Sequence, residues 1–223
     1  KGFLETSYQS NRTVQWMAPT PAFGDVYDYT VSADNPFNPF GEEVSFRHRL
    51  TEAGSRIFEI DTDIFRVLPG IDIDINEKWS AQAAFLHTTA DSFRLSRNMI
   101  SADAFQDALN SSDPNTAYNV FGDATNQRIN SPEVIDSLKV ESMQKARVEM
   151  QQVDARVWGE LAELPGGTLG VVFGVEARQE EAWSKSDPFS RAEKIIGSGG
   201  TASAGSRDLT SGYSEFQIPI IGG

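Results

Sequence analysis

The stretch VDARVWGELAELPGGTLGVVFGVEAR, residues 153–178, alternates apolar side chains with polar or small ones on both sides of a Pro-Gly-Gly turn. Successive side chains of a strand point to opposite faces, so the first arm sets Val153, Ala155, Val157, Gly159 and Leu161 against Asp154, Arg156, Trp158 and Glu160. Pro165, Gly166 and Gly167 turn the chain. The second arm then sets Leu169, Val171, Phe173, Val175 and Ala177 against Gly170, Val172, Gly174, Glu176 and Arg178. The pattern predicts an antiparallel hairpin, each arm having about the 9–11 residues that a tilted strand needs to cross a bilayer's hydrocarbon layer.

A second hairpin of the same kind lies upstream. Phe65, Val67, Pro69, Ile71, Ile73 and Ile75 face away from Arg66, Leu68, Gly70, Asp72, Asp74 and Asn76, and Asn76, Glu77 and Lys78 supply a turn. The return arm sets Trp79, Ala81, Ala83, Phe85 and His87 against Ser80, Gln82, Ala84, Leu86 and Thr88. Pro69 cannot donate to a ladder, which predicts a bulge or kink there. Trp79 and Phe65 would then sit near opposite ends of an apolar band.

Composition narrows the function classes. The formal charge of −13 and the absence of a basic cluster exclude a nucleic-acid partner. With no cysteine there is no disulfide, thiolate metal site or cysteine nucleophile. No run of 18 apolar residues encodes a transmembrane helix, but the two-residue period of barrel strands escapes hydropathy averaging.

Connections alternate in length. The turns within the hairpins are short, whereas about fifty polar residues separate the hairpins, well beyond the usual connection in a compact domain. Inside that stretch Ser101 predicts the cap of a short helix through Leu109, and Ser131-Pro132-Glu133 predicts the start of another. Ile196 to Asp208 is Gly/Ser-rich and reads as loop, and Ser214, Phe216, Ile218 and Ile220 begin a further strand. Short turns at one end and long loops at the other are the pattern of outer-membrane barrels. The expected division is a loop or hairpin over 1–56, a strand hairpin over 57–93, an extracellular loop with short helices over 94–145, a strand hairpin over 146–183, a loop over 184–211 and the start of a strand over 212–223. The expected fold is therefore all-β, an antiparallel transmembrane barrel segment with long extracellular loops.

Asp34-Asn35-Pro36-Phe37-Asn38-Pro39-Phe40-Gly41 resembles a motif of TonB-dependent outer-membrane receptors. Glu163-Leu164-Pro165-Gly166-Gly167 followed by Gly174-Val175-Glu176-Ala177-Arg178-Gln179-Glu180 is similar to a hairpin of that family. Phe121-Gly122-Asp123 resembles one of its loop motifs, and Gly197-Ser198-Gly199-Gly200 leading into Ser214-Glu215-Phe216-Gln217-Ile218-Pro219-Ile220 its next loop and strand. The resemblance spans most of residues 32 to 221. It implies a Gram-negative outer-membrane receptor in which a plug closes a barrel of about 22 strands, a TonB complex pulls on the plug, and a nutrient such as a siderophore, cobalamin, saccharide or peptide is imported. No plug and no TonB box is found here, so the chain is expected to supply about five crossing strands from the middle of a longer receptor, in contact with outer-membrane lipid.

The site residues follow from that topology. Arg66, Asp154, Arg156, Glu160, Glu176 and Arg178 lie on the polar faces and are expected to point into the barrel, paired across strands or against the plug. The loop aromatics Phe37, Phe40, Tyr118, Phe121 and Trp183 are the candidates for ligand contact. Asp61, Asp63, Asp72, Asp74, Asn76 and Glu77 invite a calcium reading, but alternation separates Asp72 and Asp74 from a common loop and the EF-hand spacing is absent. His48 and His87 have no second ligand at metal spacing. Neither a nucleophile elbow nor a phosphate loop is present, so no catalysis, metal or cofactor is expected. Two other readings share the strand code: a secreted all-β binding or adhesion module that buries one face in a two-sheet core, and a passive porin.

Overall fold

The computed structural model describes residues 1–122 and 130–220. Its frame is one antiparallel sheet of six long strands, β1 (Gly2–Met17), β6 (Arg56–Asp74), β7 (Trp79–Ile100), β8 (Lys139–Leu164), β9 (Gly167–Ser186) and β10 (Ala202–Gln217), paired in that order. Four short strands, β2 (Pro21–Phe23), β3 (Thr30–Val31), β4 (Val44–Ser45) and β5 (Arg47–Arg49), form two small ladders, β2 with β5 and β3 with β4. The helices are α1 (Gly24–Tyr27), α2 (Ala102–Asn110), α3 (Pro132–Leu138) and α4 (Pro188–Arg191). Strand takes up 62% of the chain and helix 13%, so the fold is all-β. The sheet is not closed as a barrel; β1 and β10 each keep one free edge.

Both hairpins form, the second with a register shift between Glu160 and Ala162 that leaves Leu161 outside the pairing. Leu164 pairs with Gly167 around Pro165 and Gly166. At the other turn Asn76 Oδ1 accepts from the N–H groups of Lys78 and Trp79 at 2.9 and 3.0 Å. Pro69 causes no bulge. Pairing with β7 skips Leu68 and Pro69 and resumes at Gly70 in the same register, while Pro69 still stands opposite Leu4.

The strands are longer, and one more numerous, than the expected five. β7 and β8 run far past the apolar band, and the polar segment 139–145 is strand, not loop. Gly2–Met17 is an edge strand on β6, and residues 202–208, read as Gly/Ser loop, pair with β9. In 139–145, in 202–208 and in the middle of Gly2–Met17 neither face is consistently apolar, so hydropathy loses its two-residue period while backbone hydrogen bonding to a neighbour persists.

The register assigns every strand residue to one of two faces. On the odd face of β6 to β9 lie Phe65, Ile71, Ile73, Phe85, Val153, Phe173 and Val175, all exposed, joined by Leu4 and Tyr8 of β1 and Phe216 of β10. This band slants: the rung through Tyr8, Phe65 and Thr89 continues into Glu149 and Glu181, whereas that through Trp79 continues into Gly159, Val171 and Phe216. Two glycines serve close cross-strand approaches. A Cβ at Gly159 would meet Lys78 O at 2.5 Å and the Trp79 ring at 2.6 Å, and one at Gly174 would fall on the Tyr213 ring.

The fully buried residues lie mostly outside the sheet. Residues 18–55, 101–122, 130–138 and 187–201 gather at the end opposite the short turns into a cap. Its core joins Val31, Leu50, Phe105, Leu109, Tyr118, Leu138 and Ile196. Helix α2 starts where Ser101 Oγ accepts from Ala104 N–H, and α3 where Ser131 Oγ accepts from Val134 N–H with Pro132 in the first turn. Both helices bury one side, Phe105, Ala108 and Leu109 on α2 and Val134, Ile135 and Leu138 on α3.

Candidate functional site: the loop cap and the two faces of the sheet

The Asn-Pro-Phe repeat builds two successive turns of the same kind. Asn35 Oδ1 accepts from Phe37 N–H at 3.0 Å, and Asn38 Oδ1 accepts from Phe40 N–H at 3.0 Å. Each proline lies between the acceptor and the donor, where its missing N–H is not needed and its fixed φ favours the turn. The amide nitrogen of the buried Asn35 donates to Leu109 O at 3.0 Å and Tyr118 O at 3.3 Å. That of Asn38 donates to Ser32 O and Glu42 O. The motif is thus pinned to the end of α2 while Phe40, 63% exposed, projects from it. The Phe40 ring meets Phe121 edge-on with centroids 5.8 Å apart. Phe37 is half-buried beside it.

Tyr118 lies elsewhere than expected. It is 1% exposed, packed edge-on against Phe105 at 5.4 Å, and its hydroxyl is 3.1 Å from His48 Nε2. It is a core residue of the cap and not a contact for an external ligand. Burial and the Glu52 charge push its hydroxyl pKa up. Burial, which favours the neutral imidazole, pushes His48 below its ordinary value against the opposing pull of Glu52. A third link joins the loops: the buried Asn130 donates to Glu52 Oε2 at 2.8 Å and accepts from Asn119 N–H at 2.7 Å. Of the Phe121-Gly122-Asp123 motif, Asp123 lies outside the described residues.

Asp187 seats the third loop. Burial disfavours its carboxylate, but hydrogen bonds from Ser190 Oγ, Ser190 N–H and Met143 N–H outweigh this and hold its pKa below the usual value. Asp25 is likewise lowered, by the guanidinium of Arg47, whose Nε donates to Oδ1 at 3.1 Å. Trp183 is not on a loop. It stands exposed on the odd face of β9, opposite Arg147 and Ala204.

The six residues expected to share the polar face do so by register. Asp154 stands opposite Glu176, Arg156 opposite Gly174 and Glu160 opposite Gly170, while Arg66 lies on the same face of β6 opposite Ser7 and Thr88. Arg178 binds Glu176 at 2.8 Å and Glu180 at 3.3 Å, and Glu180 also takes Arg207 from β10 at 2.6 Å. Arg66 reaches Glu5, Lys78 reaches Glu160, and the Arg156 guanidinium lies 5.5 Å from the Trp158 ring. Four of the six thus take part in ion pairs, while among the described residues Asp154 and Arg156 take part in none.

Among the described residues no group of His, Asp and Glu is arranged to hold a metal ion. Asp72 accepts from Gln82 and Asp74 from Ser80 on one face, while Asp63 accepts from Tyr8 and Asp61 lies 3.8 Å from Arg12 on the other. His87 lies 3.9 Å from Glu149. No helix is long and apolar enough to cross a membrane, which leaves strand crossing untouched. Compared with known proteins, the chain matches no known family, no curated protein and no solved structure.

Sequence reasoning missed the residues that hold the cap together: Asn35, Asn38, Asn130, Phe105 and Asp187. The repeated Asn-Pro-Phe spacing carried a signal, since Asn before Pro initiates turns. Asp187 before Pro188 carried the same helix-start signature as Ser131.

Proposed function

We propose that the chain is part of the barrel wall, with the outer loops, of an outer-membrane receptor of the TonB-dependent kind that takes up a nutrient such as a siderophore, cobalamin, saccharide or peptide. The observation that carries this reading is the exposed apolar band on one face of the sheet. An apolar patch spanning six strands marks a membrane or partner surface. Its slant is what a level membrane boundary draws across strands tilted by about 35–45°. The opposite face, with its charge mesh, would cost up to several kcal/mol per exposed Arg or Lys against lipid and suits a water-filled interior. Short turns at one end and a folded cap at the other agree with periplasmic turns and extracellular loops.

The two-sheet core that a secreted binding module would need is not present among the described residues, where a single long sheet stands uncovered. In the proposed receptor this segment makes and breaks no bonds. Phe40, Phe121 and Phe37 offer the contact surface for the ligand, and the inner face meets a plug and, through it, a TonB complex. The test is cell fractionation with site-specific labelling. Cysteine placed at Phe40 should react with an impermeant maleimide on intact cells, and cysteine at Val153 only with a lipid-soluble one. Recovery in a detergent-free soluble fraction would refute the reading.

A further inference from the structure

Trp183 has no part in the cap, yet it stands at the centre of an unusual charge arrangement on the odd face. One step along the strands, Lys145 and Lys185 are directly opposite each other. Among the described residues neither lysine forms an ion pair. Lys145 Nζ lies 6.0 Å from the centroid of Phe93, and Arg147, opposite Trp183, reaches Asp91 at 3.5 Å. Like charges set directly across a strand pair destabilise it, and an anion between them removes the penalty. Beside them a hollow of about 170 Å³ is bounded by Asp61, Asp63, Asp91, Phe93, Lys145 and Trp183. Ammonium groups suit phosphate, aromatic faces suit a sugar ring, and carboxylates accept from sugar hydroxyls. Three carboxylates in the lining would repel an anion inside the hollow, which leaves the phosphate to Lys145 and Lys185 and the carboxylates to the hydroxyls of an attached saccharide.

Height above the apolar band selects the source. Trp183 lies six residues beyond Ala177, the last apolar residue of the odd face of β9. That is roughly 20 Å along the strand, or about 15 Å along the membrane normal at barrel tilt. A phospholipid headgroup layer is only about 5–8 Å thick. We propose that this patch binds the phosphorylated saccharide of an outer-leaflet glycolipid, with Lys145 and Lys185 on phosphate and Trp183 and Phe93 against the sugar. The proposal rests on the membrane reading above.

The test loads the chain into phosphatidylcholine nanodiscs and measures exchange of three tagged lipids from vesicles. These are lipopolysaccharide truncated after its phosphorylated inner core, the same lipid dephosphorylated, and phosphatidylglycerol at matched charge. The expected result is about tenfold or greater enrichment of the phosphorylated glycolipid over both others, the size of one or two charge-assisted contacts. Lys145→Gln with Lys185→Gln should lower it about tenfold, Trp183→Ala should weaken it, and Lys145→Arg with Lys185→Arg should retain it. Equal enrichment of the three lipids, or a double Gln variant that behaves as the parent, would overturn the proposal. A chain that enters no disc sinks the membrane reading itself, an outcome distinct from insertion without discrimination.

Discussion

Replacing Phe105 by alanine should melt the cap and leave the sheet intact. The Phe105 ring is fully buried and meets Tyr118, Tyr29 and Phe46 edge-on at 5.4, 5.7 and 6.1 Å. Truncating a buried phenylalanine costs about 3–5 kcal/mol, and each lost ring pair adds to the area term by roughly 0.5–1.5 kcal/mol. About 4 kcal/mol raises a local opening constant roughly a thousandfold, at about 1.4 kcal/mol per factor of ten. Native-state hydrogen exchange reads this directly. Three amides report on the cap: Tyr118 N–H on Ala108 O, Ser101 N–H on Leu138 O, and Ile196 N–H on Ile100 O. Their protection should fall by about that factor, while the amides between β8 and β9 keep theirs. The sheet is held by its own ladders, and of its six long strands only Ile100, at the very end of β7, belongs to the buried cluster around Phe105. If the β8–β9 amides lose protection to the same extent, the cap and the sheet are one cooperative unit and the reasoning fails; an unchanged cap would refute it equally.

Other perturbations should separate the parts further. Val175→Arg, in the apolar band, should lower insertion into phosphatidylcholine vesicles by about 2–4 kcal/mol, whereas Glu181→Arg on the same face beyond the band should change it by less than about 1 kcal/mol; equal effects would remove the band. Gly159→Ala should lower the urea midpoint by the equivalent of about 1–3 kcal/mol, because the new Cβ meets the Lys78 carbonyl, while Gly205→Ala, with open space around it, should be neutral. Acid should loosen the cap through His48. Its folded pKa lies below the unfolded value near 6.5, so the unfolded state takes up the proton first, and stability present above that value is lost as pH falls from it toward the folded pKa. Cap exchange rates measured from pH 7.5 to 5 should rise in the parent and stay flatter in His48→Gln.

The hairpins were legible because each arm separates an apolar from a polar face, a contrast that register preserves. Edge strand β1 and the first half of β10 were not, since Gln9, Asn11 and Thr13 alternate with Ser10 and Arg12, and Ser203 to Ser211 carries little apolar contrast at all. Their extended backbone is held by β6 and β9, information that a local window does not contain. The helix starts at Ser101 and Ser131 were legible from capping chemistry alone. The cap core was hidden because its members come from three loops far apart in sequence, and Tyr118 was misassigned because a lone aromatic in a polar loop carries no mark of burial. The polar face was readable residue by residue from alternation. Its partners were not, since Arg178 pairs along its own strand with Glu176 and Glu180, and Glu180 also takes Arg207 of β10.

The tandem Asn-Pro-Phe turns bear on recognition kinetics and affinity. Pro36 and Pro39 narrow the backbone conformations of the loop before it folds, and the two asparagine side chains fasten it to α2 and to its own backbone. Phe40 is therefore held out on a base that is already ordered. In the proposed receptor a ligand arriving there would meet a fixed ring in place of a segment that must first be immobilised, so little of the contact energy would be spent on conformational restriction. The encounter then resembles docking onto a rigid surface more than coupled folding, with an association rate that is set by diffusion and orientation and is insensitive to viscosity-limited loop rearrangement.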